Sequence, residues 1–415
     1  MANSDFEGVN FMKQLMKKWN DMSLILRIVI GLIIGAVLGL AAPGLSAISI
    51  LGNVFVGALK GVAPILVFFL VSSSLANATA GIGARFRTVI LLYLLGTFIS
   101  AVVAVSISFL MPVTLQLTVD AAQSAAPEGI AEVLMNLLTN MVVNPIQAIS
   151  DANYIAILFW AVLLGFALKS VGNTKCAAIF TEFSDAVSTV VRWIIQCAPL
   201  GVMGLVFAAV SDNGLTIFAT YGKLIAVLLL SMAAVQLIFY PIIVAIFLHT
   251  NPYPLVLRCM RESGITAFFT RSSAANIPVN MALCERLGLD KDFYSVSIPL
   301  GATVNMGGAA VTITVMTMAC ANTLGIEVSP VTAIVLSILA ALGACGASGV
   351  AGGSLLLIPM ACALFGINND IAMQAVAIGF IIGVIQDSVE TAINSNTDVL
   401  FTAVAELSAR KKNCK

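Results

Sequence analysis

The chain has 415 residues, 60% of them apolar and only 10% charged, with a mean hydropathy of +1.05. Soluble chains average about 45–50% apolar and about 25% charged residues, so this composition excludes a soluble globular protein and indicates a membrane protein with many spans. Twenty basic residues balance twenty acidic ones, which argues against a nucleic-acid partner.

The alternating ten-residue segments of an outer-membrane barrel are missing, so the spans are expected to be helical. The N-terminal segment 1–23 carries Lys13, Lys17 and Lys18 beside Phe11, Leu15 and Trp19 at helical spacing. Within it, Asn10 to Asp21 can lie along an anionic membrane surface on the cytoplasmic side, or form a solvated basic tail. The apolar stretch that follows, 24–42, is longer than the roughly 7–15 apolar residues of a signal peptide and is expected to stay as a span.

Windows of about 19 residues place eight spans near 24–42, 50–75, 88–111, 153–170, 187–210, 216–248, 293–321 and 371–402. Two further apolar stretches, 258–284 and 331–366, are interrupted near their middles. The first contains Thr270, Arg271, Ser272 and Ser273 ahead of Pro278, and the second a glycine-rich run around Gly346, Gly349, Gly352 and Gly353. Backbone that leaves the helix at membrane depth needs partners in protein, water or ligand, so both are expected to be re-entrant hairpins lining a cavity.

Lysines and arginines concentrate in alternate loops, while the loop 112–152 carries Asp120, Glu128, Glu132 and Asp151 and no basic residue. The positive-inside asymmetry puts both termini in the cytoplasm. The two hairpins then enter from opposite faces, each followed by a span with polar residues, as in an inverted repeat around a midplane site. The expected fold is an all-α polytopic membrane protein, with eight transmembrane helices plus two re-entrant helical hairpins in inverted repeats. The eight cysteines, at 176, 197, 259, 284, 320, 345, 362 and 414, form no Cys-x-x-Cys pair and read as small hydrophobes.

The chemistry gathers in the last third. Asp387, Glu390, Thr391, Asn394 and Asp398 recur at i, i+3, i+4, i+7 and i+11. At 100° per residue these positions fall at about 0°, −60°, +40°, −20° and +20°, a single narrow polar stripe. A carboxylate at mid-membrane costs roughly 2.5–3.5 kcal/mol on insertion scales, so three of them in one span point to function. In the preceding span, Gly301, Thr303, Asn305, Met306, Gly307 and Gly308 lie close together. Paired glycines weaken a helix, and an unwound turn exposes carbonyl oxygens. With the Asn305 and Asn394 amides and the Asp398 carboxylate, such carbonyls make an all-oxygen cage suited to sodium. The Gly-Gly pair also fits plain close packing of helices. Amides and hydroxyls at Ser272 and Ser273 can receive a carboxylate while Asp387 pairs with an ammonium group, which together suit a small zwitterion.

These residues resemble the dicarboxylate/amino acid:cation symporters, the glutamate-transporter fold. The likeness rests on Arg271-Ser272-Ser273 before Pro278, the run from Gly301 to Met306, the glycine-rich second tip and the stripe from Asp387 to Asp398, and it extends over nearly the whole chain. Within the family it is most similar to the bacterial carriers that couple serine and threonine to sodium. The resemblance implies a homotrimer in lipid, with scaffold helices mainly in 24–250, to which spans three and six are exceptions, a moving transport domain in 251–402, and a basic cytoplasmic tail at 403–415. It implies that Asp387 holds the substrate amino group, that Asn394 with Ser272 and Ser273 holds its carboxylate, and that the tip around Gly349 and Val350 is a gate. One sodium site would use Asp398, Asn305, Asn394 and the Gly301 carbonyl. A second would use carbonyls of Thr303 and Met306 with Ala344, Cys345 and Ala347.

Departures from the acidic-substrate carriers matter. Glu390 stands where those carriers place an arginine, so a dicarboxylate would meet a like charge. Gly307 and Gly96 stand where a further sodium site has an aspartate and a threonine, which implies that this third site is absent. The expected activity is sodium-coupled uptake of L-serine and L-threonine across a bacterial inner membrane, with a carrier or exchanger of alanine as the rival within the same fold. For Glu390 three roles stay open: accepting the substrate hydroxyl, pairing with Arg271, or sitting protonated. A passive pore would need a continuous polar lining. Hydrolysis would need an activated nucleophile, and the single histidine, His249, is remote from Ser272 and Ser273. The chain is therefore expected not to be an enzyme.

Overall fold

The computed structural model describes residues 21–77, 84–117, 139, 141–172, 174–347 and 352–413. Among them there is helix and no strand. Residues 1–20 of the expected surface segment, and 118–138 and 140 of the acidic loop, lie outside the described residues.

Helix α1, Leu24–Ala41, begins where the Ser23 hydroxyl accepts from the Leu26 amide. Ser49–Asn77 forms α2 and Ala84–Leu110 forms α3. A short helix α4, Pro145–Ser150, is capped by Asn144 and leads into α5, Tyr154–Val171. The single span expected over 187–210 is instead two helices, α6 (Thr174–Gln196) and α7 (Ala198–Asn213), bent by 55°. The cause is Pro199 in the first turn of α7. It lacks the amide that would continue the ladder, and its ring clashes with the carbonyl four residues earlier.

The stretch 216–248 is α8 (Ile217–Ala234) and α9 (Tyr240–Leu248), continuous through a π-type turn at Val235–Phe239. Both interrupted stretches are helix–break–helix. The first runs through α10 (Tyr253–Cys259), a π-type turn and α11 (Ile265–Thr270), breaks at Arg271 and Ser272, and resumes as α12 (Ser273–Arg286). Between the two stretches, 293–321 divides into α13 (Lys291–Val304) and α14 (Gly307–Thr323). The second interrupted stretch has arms α15 (Pro330–Ala344) and α16 (Ile358–Ala363), the latter preceded by a 3-10 turn at Gly353–Leu357. Helix α17, Asn369–Asn413, has 45 residues and runs well beyond the expected end at 402, with Val404, Ala405 and Glu406 fully buried.

Among the described residues six helical runs are long and apolar enough to cross a membrane, or seven with the bent pair taken as one. Large apolar side chains such as Ile33, Phe166, Trp193 and Phe269 are exposed on the outer faces, as a lipid-facing surface requires. The core lies around α17 and α14. Helix α14 is buried from Gly307 to Ala321, and α17 packs against α3, α8, the first interrupted stretch, α13 and α14.

Candidate functional site

The sequence stripe is real, but its members turn to different partners. Asp387 meets the tips of both interrupted stretches. Arg271 ends α11 in the left-handed region, with φ +51, and its amide donates to the Ala267 carbonyl at 2.9 Å. That backbone costs a non-glycine residue about 1–2 kcal/mol. It aims the guanidinium at Asp387, where Nε donates to Oδ2 at 2.6 Å with the two side chains only 11% and 4% exposed. The other oxygen, Oδ1, accepts from the Gly352 amide at 3.1 Å. Gly352 sits at φ +71, and a Cβ there would lie 2.9 Å from the Phe380 ring, so glycine is required twice over. Of the three roles open for Glu390, pairing with Arg271 is therefore not the one seen.

Ser272 is extended and caps α12, its hydroxyl accepting from the Ala275 amide at 3.2 Å. Ser273 is buried in the first turn of that helix. Beneath this tip Asn276 and Asn280 tie the arms to α17. Asn276 Nδ2 donates to Ser263 Oγ at 3.0 Å and Ser395 Oγ at 2.8 Å, and Asn280 Nδ2 donates to the Ser395 carbonyl at 3.0 Å. Sequence reading missed this cluster, although Ser272, Asn276 and Asn280 recur every four residues.

Glu390 is buried, and its Oε2 accepts from Thr312 Oγ1 at 2.7 Å, Ser354 Oγ at 2.8 Å and Gln386 Nε2. Thr391 is buried on the same turn. Asn394 turns to the break between α13 and α14, where its Oδ1 accepts from the Gly308 amide at 2.7 Å.

That break falls at Asn305 and Met306, just ahead of the paired glycines. Gly307 and Gly308 start α14 and serve close approach: a Cβ on Gly308 would lie 2.7 Å from the Glu390 carbonyl, and one on Gly307 2.0 Å from Tyr240 Oη. Asn305 Nδ2 donates to Asp398 Oδ1 at 2.9 Å, to Thr397 Oγ1 at 2.8 Å and to the Asn394 carbonyl at 3.2 Å. Asn305 Oδ1 and Asp398 Oδ2 are buried and, among the described residues, receive no hydrogen bond. Gly301 is a necessity here, since its Cβ would stand 2.7 Å from Asp398 Oδ1 and 2.8 Å from Tyr93 Oη. Tyr93 of α3, which nothing in the sequence singled out, donates its hydroxyl to the Ser297 carbonyl at 3.0 Å and lies 3.3 Å from the Asp398 carbonyl.

The residues proposed by resemblance for a second ion are less closely gathered. The Met306 carbonyl accepts from the Ala310 amide at 3.0 Å and the Ala344 carbonyl from the Ala347 amide at 2.9 Å, while Thr303 Oγ1 turns back to the Leu300 carbonyl. Cys345 Sγ reaches the Val304 carbonyl at 3.4 Å, which joins the second stretch to the break. Gly349 and Val350 lie outside the described residues.

A carboxylate oxygen and an amide oxygen, both buried and both lacking a donor, can be satisfied by a cation with oxygen ligands. The Asp387 pocket is instead a place where one positive group, the Arg271 guanidinium, neutralises an acid between two helix breaks. The two acids thus lie at separate places along α17, one with a cation supplied by the protein and one without.

Comparison with known proteins agrees with this chemistry. Residues 24–407 match the sequence profile of the Sodium:dicarboxylate symporter family. The chain is 62% identical to a serine/threonine transporter SstT of Bifidobacterium adolescentis over 94% of its own length and 91% of that protein. It is 57% identical to one of Streptococcus agalactiae serotype III, over 96% and 99% of the two chains. With one of Streptococcus thermophilus it shares 54% identity over 97% and 100%. A match over nearly the whole helical framework, including both interrupted stretches and the Asp387–Asp398 stripe, means that this chain is a membrane transport protein belonging to the sodium:dicarboxylate symporter family.

Proposed function

We propose that the chain imports L-serine and L-threonine by coupling them to inward sodium movement, as a secondary active transporter. The observation that carries this reading is the pair of buried, donor-free oxygens, Asn305 Oδ1 and Asp398 Oδ2, at a helix break. The Gly301 carbonyl, Asn305, Asn394 and Asp398 hold one sodium ion. The carbonyls of Thr303 and Met306, with Ala344, Cys345 and Ala347, are the best candidates for a second. Two close approaches support the absence of a third: a Cβ on Gly96 would stand 2.7 Å from the Phe401 ring, and Gly307 faces Tyr240, whose hydroxyl is 2.9 Å from Ser100 Oγ.

The substrate ammonium replaces Arg271 on Asp387, and its carboxylate binds Asn394 and the amides at Ser272 and Ser273, with Thr391 beside them and the tip at Gly349 and Val350 closing over it. Glu390 places an acid where a dicarboxylate would need a positive group, so the cargo is a neutral amino acid despite the family's name. Alanine and other small neutral amino acids are the competing cargo.

We read the architecture as eight spans and two re-entrant hairpins in inverted repeats, both termini cytoplasmic, assembled as a homotrimer in a bacterial inner membrane. The transport half, 251–402, slides as an elevator against scaffold helices. Two contacts support an inward position. Arg271 and Asp387 share a narrow crevice with Leu24 and Ile28, at the cytoplasmic start of α1. At the opposite end of α17, Asp370 pairs with Lys60, which lies about 16 Å along α2 from Ser49 at 1.5 Å per residue.

One net charge moved inward with a zwitterion gains about 2.3 kcal/mol per 100 mV, and about 1.4 kcal/mol is tenfold in accumulation. A single coupled sodium ion therefore suffices to concentrate substrate strongly. Uptake of radiolabelled serine into proteoliposomes is expected to require an inward sodium gradient; uptake unchanged when potassium replaces sodium would overturn the reading. Asp387→Asn is expected to abolish serine binding in calorimetry, and retained affinity would remove it from the ammonium role.

A further inference from the structure

Glu390 lies one turn from Asp387 on α17, and its two oxygens are unlike each other. Three donors converge on Oε2 from three elements: Thr312 on α14, Ser354 in the second arm of the second interrupted stretch, and Gln386 on α17 itself. Two of the donors are also joined to each other, Gln386 Nε2 to Thr312 Oγ1 at 2.7 Å. Among the described residues no donor reaches Oε1. A carboxylate has about four acceptor positions over its two oxygens. Crowding three donors onto one of them fixes the rotamer, holds the group as an acceptor and leaves the other oxygen directed elsewhere.

We propose that Thr312, Ser354 and Gln386 are positioning residues that hold Glu390 so that Oε1 accepts the hydrogen bond of a β-hydroxyl on the bound amino acid. This rests on the transport reading above and adds what sets its selectivity. On a helix, residues three apart have Cβ atoms about 5–6 Å from each other. A β-hydroxyl is three bonds from the ammonium nitrogen, so one small molecule reaches both carboxylates. Alanine offers no donor and leaves Oε1 unpaired beneath the bound ligand, a penalty that discriminates far better than a missing methyl group. Ser354 also lies two residues after Gly352 in the same turn, and the Gly352 amide donates to Asp387, so this turn is fastened to both acids that would hold the substrate.

The test measures inhibition of labelled threonine uptake by serine and by alanine in proteoliposomes, for the wild type and for Thr312→Val, Ser354→Ala, Gln386→Met and Thr312→Ser. The first three are expected to lower the serine-to-alanine affinity ratio by about 5- to 10-fold, and Thr312→Ser to return it to near the wild-type value. A ratio unchanged within about twofold in all three, or an equal loss for both amino acids, overturns the proposal, because a purely structural role moves both alike. If Thr312→Val fails to fold, the ratios of the other two variants decide. Wild-type vesicles that lack sodium-dependent serine uptake would sink the transport reading and this inference with it; intact wild-type uptake with an unmoved ratio sinks this inference alone.

Discussion

Asp387 and Asp398 lie three turns apart on one helix, and their surroundings differ in a way that separates two kinds of cation site. Both oxygens of Asp387 have donors, one of them a guanidinium supplied by the protein. Among the described residues Asp398 has the Asn305 amide on one oxygen and nothing on the other, and no arginine or lysine pairs with it. A buried charge without a counter-ion costs several kcal/mol. On the reading proposed above, Asp387 stands ready with an internal cation that a ligand must displace, while Asp398 takes its cation from outside. The first arrangement suits a cargo that has to be exchanged for a side chain, the second an ion that enters a cage already built.

The comparison is broken most directly at Asp398. Asp398→Asn is expected to weaken sodium binding by about 100-fold or more, the loss of a charged ligand in a desolvated site. Serine affinity measured against sodium concentration would then be flat over the range where the wild type rises. A variant that keeps the wild-type sodium dependence removes Asp398 from the ion site and leaves its bare oxygen unexplained.

A smaller effect of opposite sign is expected at the other acid. Arg271→Gln removes the internal counter-ion, so the ligand-free molecule loses more than the ligand-bound one. Serine affinity should rise by roughly 3- to 10-fold while thermal stability without ligand falls. Weaker serine binding in this variant would mean that Arg271 touches the substrate directly and is not its stand-in.

The face shared by Asp387, Glu390, Thr391, Asn394 and Asp398 could be read from the sequence because 3.6-residue periodicity fixes which side chains point together. The first tip was equally legible, since Ser272 ahead of a short polar run is a helix start. Partner choice was not. Arg271 reaches Asp387 and not Glu390, and Glu390 draws on Thr312 and Ser354; these contacts join residues 116, 78 and 36 positions apart. Hydropathy reports depth and face but carries no record of which helix lies opposite. The same limit hid Tyr93, an unremarkable tyrosine in an apolar span until Gly301 lets it approach Asp398. The unwound turn falls within the expected run from Gly301 to Gly308, at Asn305 and Met306, but the paired glycines beside it start the next helix and serve contact. Low helix propensity and the demand for close packing leave the same residue type behind.

The smallest expected effect concerns a third acid, Asp290, which like Asp387 is paired with an arginine but lies at a water-exposed helix start. Arg85 Nη1 donates to its Oδ2 at 2.8 Å, and its Oδ1 accepts from the Asp292 amide at 3.0 Å. The arginine hydrogen bond first, and the backbone amide second, hold its carboxyl below the usual carboxylate range. Because the folded value is the lower one, the stabilisation is complete above the unfolded value of about 3.9 and is lost as pH falls through the folded value. The thermal midpoint in detergent should therefore fall more steeply below about pH 4 for the wild type than for Asp290→Asn, and the two curves should run parallel above it. Water competes for both partners here, so the slope difference is expected to be slight. A difference as large as that seen on removing Arg271 would mean that burial is not what separates the membrane-embedded acids from this one.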